Sequence, residues 1–479
     1  MTETIANNQF RPPIVAVMGH IDHGKTTLLD KIRQANIAAR EAGGITQHIS
    51  SYQTTVKLKS GKTGTITFID TPGHAAFCNM RSRGANSTDI AILVISAVDG
   101  VMTQTKECIH EIKKSNIPVI VAMNKIDLEG SSPEKIKGQL VELDLTPEEY
   151  GGQVAVIPVS AKTGQGIDDL LEMILLNAEI MELKNEPEAS LEAMIIESRL
   201  DKSRGPVASA IVKKGTIHNG DIVYVENIFC KVKAMINSNG QNITEAGPST
   251  PVEILGFEKT PPIGSLILDH SVKVDHNETL SLPIRDITNN SPRLNIVLRA
   301  DVEGTLEALK ASFGDDVLVI SAGVGAVTDN DIFVAENAHA EIFAFNVAVP
   351  KFIKNLANNQ KVKIFESKII YEIIENIQTQ VLKLLDPTIE ETVLGEAKVI
   401  AEFKIEKVRI AGIQVTKGEI TKGDLIHLKR DDQIIKDTKV EGIHQAKSII
   451  DKAKSGGEFG ITFRPYIDFN LGDAIIAYK

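Results

Sequence analysis

The sequence predicts a multidomain protein of mixed class, α/β plus β, and three observations carry that prediction. The chain has 479 residues, which is too long for one ordinary hydrophobic core, so about three or four domains are expected. Residues 12–180 alternate short apolar runs with segments of helical period, as α/β domains do. Two distant segments, 207–225 and 410–428, share an alternating apolar pattern with glycine turns that is typical of antiparallel β-barrels.

The composition is normal for a globular protein that works in a reducing compartment. Apolar residues make up 42% of the chain and charged residues 24%. The three cysteines, Cys78, Cys108 and Cys230, are far apart and lack zinc-ligand spacing, which argues against both a zinc site and a disulfide framework. The first residues lack the apolar core of a signal peptide, and the longest apolar run is far shorter than a membrane span. We therefore expect a cytoplasmic protein with no membrane partner.

The charge balance limits how the chain could meet nucleic acid. The formal net charge is −11, whereas a protein that coats nucleic acid by charge alone is usually basic. Any contact with RNA must therefore use local patches, and the sequence does not locate them.

The first α/β domain is predicted from five β-rich apolar runs that alternate with helical segments. These runs are PPIVAVMG, GTITFIDT, DIAILVISAV, IPVIVAMNK and QVAVIPVSA. Continuous apolar strands that alternate with helices indicate a mainly parallel sheet covered on both faces. Ligands of such sheets bind at the carboxyl ends of the strands.

A phosphate-binding loop is predicted where the first of these strands ends. Residues 19–26 fit the pattern G-x-x-x-x-G-K-[ST], whose glycines let backbone N–H groups close around phosphate oxygens. Lys25 can reach the β- and γ-phosphates, and Thr26 can offer its hydroxyl to Mg²⁺. The alternative is a glycine-rich turn without a ligand, but the strand before it and the helix after it favour a phosphate loop.

Two further strand ends predict that the base is guanine. The sequence MNKID ends one strand with Asp127, whose carboxylate can accept from both the N1–H and the N2 amino group of guanine. Asn124 can fix the loop, and the Lys125 stem can lie on the plane of the base. The sequence SAK, residues 160–162, can give a backbone N–H to guanine O6. Each motif alone could be an ordinary strand-end turn with a helix cap.

Two polar segments are candidates for sensing the γ-phosphate. In FIDTPGH, Asp70 can hold Mg²⁺ through water and the Gly73 N–H can contact the γ-phosphate. In GGITQHI, residues 43–49, Thr46 can complete the ligands of the metal. Such segments become ordered when the γ-phosphate is present and relax after its loss.

The histidines of these motifs differ in their expected roles. His74 follows Gly73 and can orient the attacking water, which makes it the catalytic candidate. His20 and His23 lie inside the phosphate loop, where loop packing is the alternative to a functional role, and Asp22 could order a cation or the loop. Thr26 and Thr46 are the metal candidates. The nucleotide-binding candidates are Gly19, His20, Ile21, Asp22, His23, Gly24, Lys25, Thr26, Asp70, Thr71, Pro72, Gly73, His74, Asn124, Lys125, Ile126, Asp127, Ser160, Ala161 and Lys162.

The rest of the chain predicts two related barrels with a compact α/β unit and a helix between them. The alternative for the barrels is convergent hairpin chemistry. The unit covers about 290–365, and its sequence VGAVTDND lacks the lysine of a phosphate site, so helix capping is the better explanation. Residues 367–386 have helical period and stop at Asp386-Pro387. That helix could be a semi-rigid arm or could pack wholly within one domain.

Four motifs together resemble the family of bacterial translation initiation factor two, within the translational GTPases. They are GHIDHGKT, AGGITQHI, DTPGHAAFCNMRSRGA and NKID. The resemblance runs from about Arg11 to the C terminus. It implies GTP, GDP and Mg²⁺ as ligands, with both ribosomal subunits and initiator formylmethionyl-tRNA as partners of a factor that is monomeric off the ribosome.

The resemblance also implies a domain order. A P-loop GTPase domain is followed by a β-barrel, a small α/β domain, a connecting helix and a C-terminal β-barrel. The expected boundaries are 1–12 for a short N-terminal tail, 13–180 for the GTP-binding domain, 181–285 for the first barrel, 286–365 for the α/β domain, 366–388 for the helix and 389–479 for the last barrel. The tail stands where the family commonly has a long extension.

In the resembled family the last barrel binds the formylmethionyl end of the tRNA. Gly412, Glu458 and Gly460 match the pattern of that site. Ile413 and Phe459 stand where the family usually has cysteines, and the family's lysine-arginine-tyrosine is also absent.

The resemblance predicts a ribosome-dependent GTPase that promotes initiator tRNA binding and subunit joining and is released by hydrolysis. The alternatives are another translational GTPase such as a tRNA-delivery factor, the GTPase subunit of a metabolic enzyme, and a non-catalytic RNA-binding module with a structural nucleotide.

Overall fold

The computed structural model describes eleven stretches of the chain. They are residues 10–33, 46–57, 61, 63–72, 88–269, 293–385, 393–405, 408–430, 433–445, 448–464 and 467–478. The chain divides into two compact units, Met1–Val381 and Leu382–Lys479. The first contains the α/β domain, a barrel, the second α/β domain and most of a helix, and the second contains the last barrel.

The first domain is a six-stranded sheet in the order β2-β3-β1-β4-β5-β6, parallel except for β2. Its strands are β1 (Ile14–Gly19), β2 (Ser50–Lys57), β3 (Thr63–Asp70), β4 (Ile90–Ser96), β5 (Val119–Asn124) and β6 (Ala155–Pro158). Its α-helices are α1 (Lys25–Arg33), α2 (Thr103–Ser115), α3 (Pro133–Glu142) and α4 (Ile167–Ile180), and Glu148–Tyr150 form a short 3-10 helix.

Every residue of β1 and β4 is buried, because helices cover both faces of this sheet. The apolar side chains of α1 and α4 pack on one face, and those of α2 and α3 pack on the other. The predicted parallel sheet covered on both faces is therefore confirmed.

The first barrel is a closed antiparallel sheet. The strands of this domain are β7 (Glu192–Asp201), β8 (Gly205–Lys214), β9 (Ile217–His218), β10 (Ile222–Val225), β11 (Ile228–Asn237), β12 (Asn242–Ile243), β13 (Glu245–Ala246), β14 (Pro251–Phe257) and β15 (Leu266–Leu268). Strands β9 and β13 pair with each other in a separate two-stranded sheet. The order β10-β15-β7-β8-β14-β11 closes where β10 pairs with β11. The barrel packs on the first domain through Ser249, whose carbonyl accepts from Thr67 Oγ1 at 2.6 Å and from Gln53 Nε2 at 3.2 Å.

The second α/β domain has a parallel sheet in the order β17-β16-β18-β19. Its elements are β16 (Leu294–Ala300), α5 (Glu303–Ala311), β17 (Val317–Val324), α6 (Asp329–Asn337), β18 (Glu341–Phe345), α7 (Lys351–Asn359) and β19 (Ile364–Ser367). Thr328 and Asp331 form a capping box at the start of α6. The interpretation of VGAVTDND as helix-capping sequence is therefore confirmed.

The predicted helix after this domain is α8 (Ile370–Leu385). Ile370, Ile373 and Ile377 are fully buried on one stripe, whereas Leu382 is exposed. The predicted stop, Asp386-Pro387, lies just outside the described residues.

The last barrel repeats the strand order of the first. Its strands are β20 (Val393–Ile405), β21 (Val408–Thr421), β22 (Leu425–Arg430), β23 (Gln433–Gln445), β24 (Ser448–Ile450), β25 (Lys452–Lys454), β26 (Glu458–Arg464) and β27 (Ala474–Tyr478). The order β22-β27-β20-β21-β26-β23 closes between β22 and β23, strand for strand as in the first barrel.

The similar segments of the two barrels, 207–225 and 410–428, also share their local backbone geometry. Gly215 and Gly418 of the K-G steps have φ of 72° and 66°, a conformation that favours glycine. In the later G-D turns, Asp221 Oδ2 accepts from His218 N at 2.7 Å, and Asp424 Oδ2 accepts from Thr421 N at 2.6 Å. Two related barrels, as predicted, explain this match better than two unrelated hairpins.

Within the described stretches, no helix is both long enough and apolar enough to cross a membrane. Cys108 and Cys230 are buried in different domains and are not joined in a disulfide, and Cys78 lies outside the described residues.

Candidate nucleotide-binding site

The loop between β1 and α1 adopts a backbone that requires glycine at both ends of the motif. Gly19 has φ of 147°, and a Cβ atom there would lie 2.4 Å from the carbonyl oxygen of Val94. Gly24 has φ of 88°, and its Cβ would lie 2.4 Å from Asn124 Nδ2. The loop ends at the first turn of α1, so the N–H groups at the positive end of that helix face the same space.

Lys25 places a buried positive charge in this loop. Its side chain turns back across the motif, and Nζ donates to the carbonyl oxygens of Gly19 at 3.0 Å and His20 at 2.8 Å. A buried ammonium group is stable only when polar groups compensate it. The two carbonyl oxygens compensate the charge of Lys25 inside the loop, and its contact with the β- and γ-phosphates stays a prediction.

The two predicted metal ligands meet in the structure. Thr26 Oγ1 and Thr46 Oγ1 are 2.6 Å apart, although the residues lie on opposite sides of a long connection. Two neighbouring oxygens of an octahedral Mg²⁺ site are about 2.9 Å apart, from Mg–O distances of about 2.0–2.1 Å. The two hydroxyl groups therefore fit an Mg²⁺ ion after a shift of a few tenths of an ångström.

The end of β3 brings a carboxylate to the same edge. Asp70 is 5% exposed, and the buried Thr71 donates its hydroxyl to the carbonyl oxygen of Val17 at 2.8 Å, which fixes the strand end beside β1. Pro72 is buried as well. Gly73 and His74, the predicted γ-phosphate contact and catalytic residue, lie outside the described residues.

Asn124 joins the phosphate loop to the predicted base-binding turn. Its side-chain Nδ2 donates to the carbonyl oxygen of His23 at 2.8 Å, and its Oδ1 accepts from the Ala161 N–H at 2.9 Å. The residue is 2% exposed. Asn124 thus fixes the loop, as the sequence predicts, by holding two separate strand ends together.

The predicted guanine acceptor is held by the neighbouring strand end. Ser160 Oγ donates to Asp127 Oδ1 at 2.7 Å and accepts from the Thr163 N–H at 3.1 Å. The hydrogen bond from Ser160 lowers the pKa of Asp127, and the nearby charge of Lys162 acts in the same direction. Asp127 is exposed, so the carboxylate is ionised and open to a ligand that offers two N–H donors.

Lys125 and Ile126 shape the turn between these groups. Lys125 has φ of 63°, and its Nζ lies 3.5 Å from Asp99 Oδ2. A hydrogen bond from Ser96 holds the pKa of Asp99 below its ordinary value, and Lys125 adds to the effect. The Ile126 N–H donates to the Val159 carbonyl at 3.4 Å. Sequence reasoning missed Asp99, because no local pattern marks an exposed carboxylate as the partner of Lys125.

The rings of His20 and His23, the two histidines of the phosphate loop, pack against each other. Their rings meet edge to face with centroids 5.0 Å apart, and His23 Nδ1 lies 3.3 Å from the carbonyl oxygen of Val94. Burial lowers the pKa of His23 to about 4 and also lowers that of His20. Gln104, which sequence reasoning missed, accepts from the Ile21 N–H at 3.1 Å. For His23 the loop-packing interpretation fits the structure, and Asp22 has φ of 60° at the tip of the same loop.

The predicted tRNA-end residues lie on two paired strands of the last barrel. Gly412 on β21 is directly opposite Gly460 on β26, and Glu458 is opposite Gln414. A Cβ atom at Gly412 would lie 2.7 Å from Phe403 Cε2, and one at Gly460 would lie 2.9 Å from Ile410 Cγ2. Close packing therefore accounts for both glycines without a ligand.

Family models match three consecutive stretches of the chain. The Elongation factor Tu GTP binding domain matches residues 11–179, Elongation factor G domain 2 matches 190–269, and Translation-initiation factor 2 matches 270–378.

Curated relatives match nearly the whole chain. Proteins named Translation initiation factor IF-2 from Geobacillus sp. and Oceanobacillus iheyensis are 42% and 43% identical over 98% of this chain. The matches cover 67% and 72% of those relatives, so the chain spans about two thirds of their length. Among solved structures, GDP-bound aIF5B from Aeropyrum pernix is 26% identical, with a TM-score of 0.46 over 98% of this chain and 92% of that one.

Proposed function

The chain belongs to the translation initiation factor IF-2 family of translational GTPases, and from that premise we propose that it promotes initiator formylmethionyl-tRNA binding and ribosomal subunit joining, with GTP hydrolysis releasing it. The observation that carries the nucleotide part is the double hydrogen bond of Asn124. It holds the phosphate loop and the turn that orients Asp127 at one edge of the sheet. These contacts support the proposal that a phosphate site and a guanine acceptor lie side by side at this edge.

We propose that Thr26 and Thr46 hold Mg²⁺ directly and that Asp70 holds it through water. The ion would neutralise charge on the β- and γ-phosphates. Lys25 binds the same phosphates, and the Gly73 N–H contacts the γ-phosphate. The segments that contain Thr46 and Gly73 are then held by the γ-phosphate and are released when it is cleaved.

We propose that His74 orients the attacking water only when the ribosome places it, because a factor that hydrolysed GTP alone would be discharged before the subunits join. His74→Ala should lower ribosome-stimulated hydrolysis by about a hundredfold or more while GTP affinity stays near the wild-type value. Equal losses of hydrolysis and binding would contradict this role.

The remaining parts of the proposal follow the family. The factor would work in the cytoplasm, as a monomer off the ribosome, and contact both ribosomal subunits. Gly412, Glu458 and Gly460 would line the site for the tRNA end. The proposed domains keep the boundaries at 12, 180, 285, 365 and 388.

The experiment that tests the function is multiple-turnover GTP hydrolysis with and without both ribosomal subunits and formylated initiator tRNA. Turnover that rises only with ribosomes supports the proposal. Turnover that ignores ribosomes would indicate a metabolic GTPase subunit, and bound but uncleaved GTP would indicate a non-catalytic module. Filter binding of initiator against elongator aminoacyl-tRNA separates the proposal from a tRNA-delivery factor.

A further inference from the structure

Gln47, the residue after the metal candidate Thr46, makes two side-chain hydrogen bonds with the segment that joins the second α/β domain to α8. Its Oε1 accepts from the Ile370 N–H at 3.0 Å, and its Nε2 donates to the Lys368 carbonyl oxygen at 3.0 Å. Gln47 is 5% exposed. A long polar side chain is thus buried in a contact between residues more than 300 positions apart in the chain.

One partner of Gln47, the Ile370 N–H, is a group that a helix start leaves without an intrahelical bond. Ile370 is the first residue of α8, and its N–H has no acceptor within the helix. The Ile370 side chain is fully buried. Gln47 therefore acts as a cap for α8 that is supplied by the nucleotide domain. A change in the backbone at Thr46 of one or two ångströms would break both bonds, because hydrogen bonds lose their strength beyond about 3.5 Å.

Two neighbouring contacts join the same surfaces. His48 Nε2 lies 3.3 Å from Asp301 Oδ2, and the His48 ring packs edge to face on Phe345. Tyr371, in the first turn of α8, is close enough to Asp22 of the phosphate loop for that charge to add to the effect of burial in raising its pKa. The first turn of α8 therefore faces both the phosphate loop and the segment that contains Thr46.

We propose that Gln47 is a positioning residue that couples occupancy of the nucleotide site at Thr46 to the capping of α8. This inference rests on the proposed function, in which the γ-phosphate and Mg²⁺ order Thr46. When Thr46 is held, the Gln47 amide reaches Lys368 and Ile370, and when Thr46 is released, the cap is lost. Because coupling between two sites is reciprocal, the capped helix raises the affinity for the triphosphate relative to the diphosphate.

The test compares Gln47→Ala with the matched control Gln53→Ala in the full chain. Gln53 also donates its amide across a domain boundary, to Ser249, but on β2 and away from Thr46. The first measurement is the ratio of the affinities for a non-hydrolysable GTP analogue and for GDP, both with Mg²⁺. The second is hydrogen exchange of the peptide that contains Ile370, with each of the two nucleotides bound.

In the wild type and in Gln53→Ala, the analogue should protect the Ile370 amide more than GDP does. In Gln47→Ala, that nucleotide-dependent difference should vanish, and the affinity for the analogue should fall about tenfold relative to that for GDP, as expected for the loss of two neutral hydrogen bonds. Gln47→Glu keeps an acceptor for the Ile370 N–H but loses the donor to Lys368. It should therefore recover part of the difference in protection between the analogue and GDP, whereas a merely structural cap would change protection equally with the two nucleotides.

Protection of Ile370 that is equal with the two nucleotides in the wild type would overturn the coupling. The coupling would also be overturned if Gln47→Ala kept the wild-type ratio of analogue affinity to GDP affinity and the wild-type protection of Ile370. If Gln47→Ala does not fold, the same comparison is made with Gln47→Glu, for which wild-type protection and affinity ratio would overturn the proposal. Failure of the wild type to bind either guanine nucleotide would instead refute the proposed function.

Discussion

Asn124→Ala is expected to separate the phosphate loop from the base-binding turn. The substitution removes the donor that holds the His23 carbonyl and the acceptor that holds the Ala161 N–H. Asn124 is 2% exposed, so water does not readily replace either bond. A buried backbone group that loses its partner costs about 1–3 kcal/mol. For two such groups we expect local stability at this site to fall by about 2–6 kcal/mol.

Hydrogen exchange measures this loss directly. The Ala161 amide should exchange at least about 30-fold, and up to about 20,000-fold, faster in Asn124→Ala than in the wild type, since each 1.4 kcal/mol corresponds to about tenfold. Affinity for GDP and for a GTP analogue should fall together. Asn177→Ala is the matched control, because the Asn177 amide donates to the Met173 carbonyl oxygen within its own helix.

A second variant separates the effect of the bond to His23 from the effect of the bond to Ala161. Asn124→Asp keeps the oxygen that accepts from Ala161 but loses the donor to His23. We therefore expect Ala161 to stay protected while nucleotide affinity falls. Wild-type exchange at Ala161 in Asn124→Ala, with unchanged nucleotide affinity, would refute the reasoning that this amide joins the two halves of the site.

Three further outcomes are expected. Gly24→Ala places a methyl group 2.4 Å from Asn124 Nδ2 in a backbone with φ of 88°, so the free energy of unfolding should fall by about 2 kcal/mol or more, and a change below about 0.5 kcal/mol in chemical denaturation would contradict this. Burial keeps the pKa of His23 at about 4 against an ordinary 6.5, so the unfolded chain takes up a proton before the folded chain does as the pH falls. The contribution of His23 to stability is therefore present above about pH 6.5 and is lost as the pH falls from there towards 4. The loss between pH 7 and pH 5 is about 2 kcal/mol. Chemical denaturation of His23→Gln at these two pH values should therefore show a change in the free energy of unfolding that is smaller than that of the wild type by about 2 kcal/mol. Asp127→Asn should move the preference from guanosine towards xanthosine nucleotides, whose C2 oxygen replaces the amino group, and competition binding that still favours guanosine would count against Asp127 as the base acceptor.

The sequence predicted the parts of the fold whose patterns are local and apolar. The runs that became β1, β4 and β5 are almost wholly buried, and continuous burial leaves a continuous apolar signal. Strand β2 was missed because only Tyr52 and Val56 in it are buried and the rest of its sequence is polar. An edge strand of that kind resembles a loop in its composition.

In the candidate site, too, contacts marked by a local sequence motif could be predicted and contacts between distant segments could not. The phosphate loop, Asn124 and the pair of Asp127 with Ser160 lie at strand ends that a motif marks, so their meeting could be expected. The contacts of Gln47 with Lys368 and Ile370 could not, because a hydrogen bond between residues more than 300 positions apart leaves no local pattern in either segment. The packing of His23 was left open for a related reason, since burial depends on the Val94 carbonyl of another strand.

The shared strand order of the two barrels matters while the chain is being made. Similar strands within one polypeptide can exchange partners and trap a misassembled product. Here about 125 residues separate the last strand of the first barrel, β15, from the first strand of the second, β20. At synthesis rates of about 5–20 residues per second, the first barrel has roughly 6–25 s to close before its counterpart emerges. The intervening α/β domain thus gives the nascent chain a delay that keeps the twin sheets from competing.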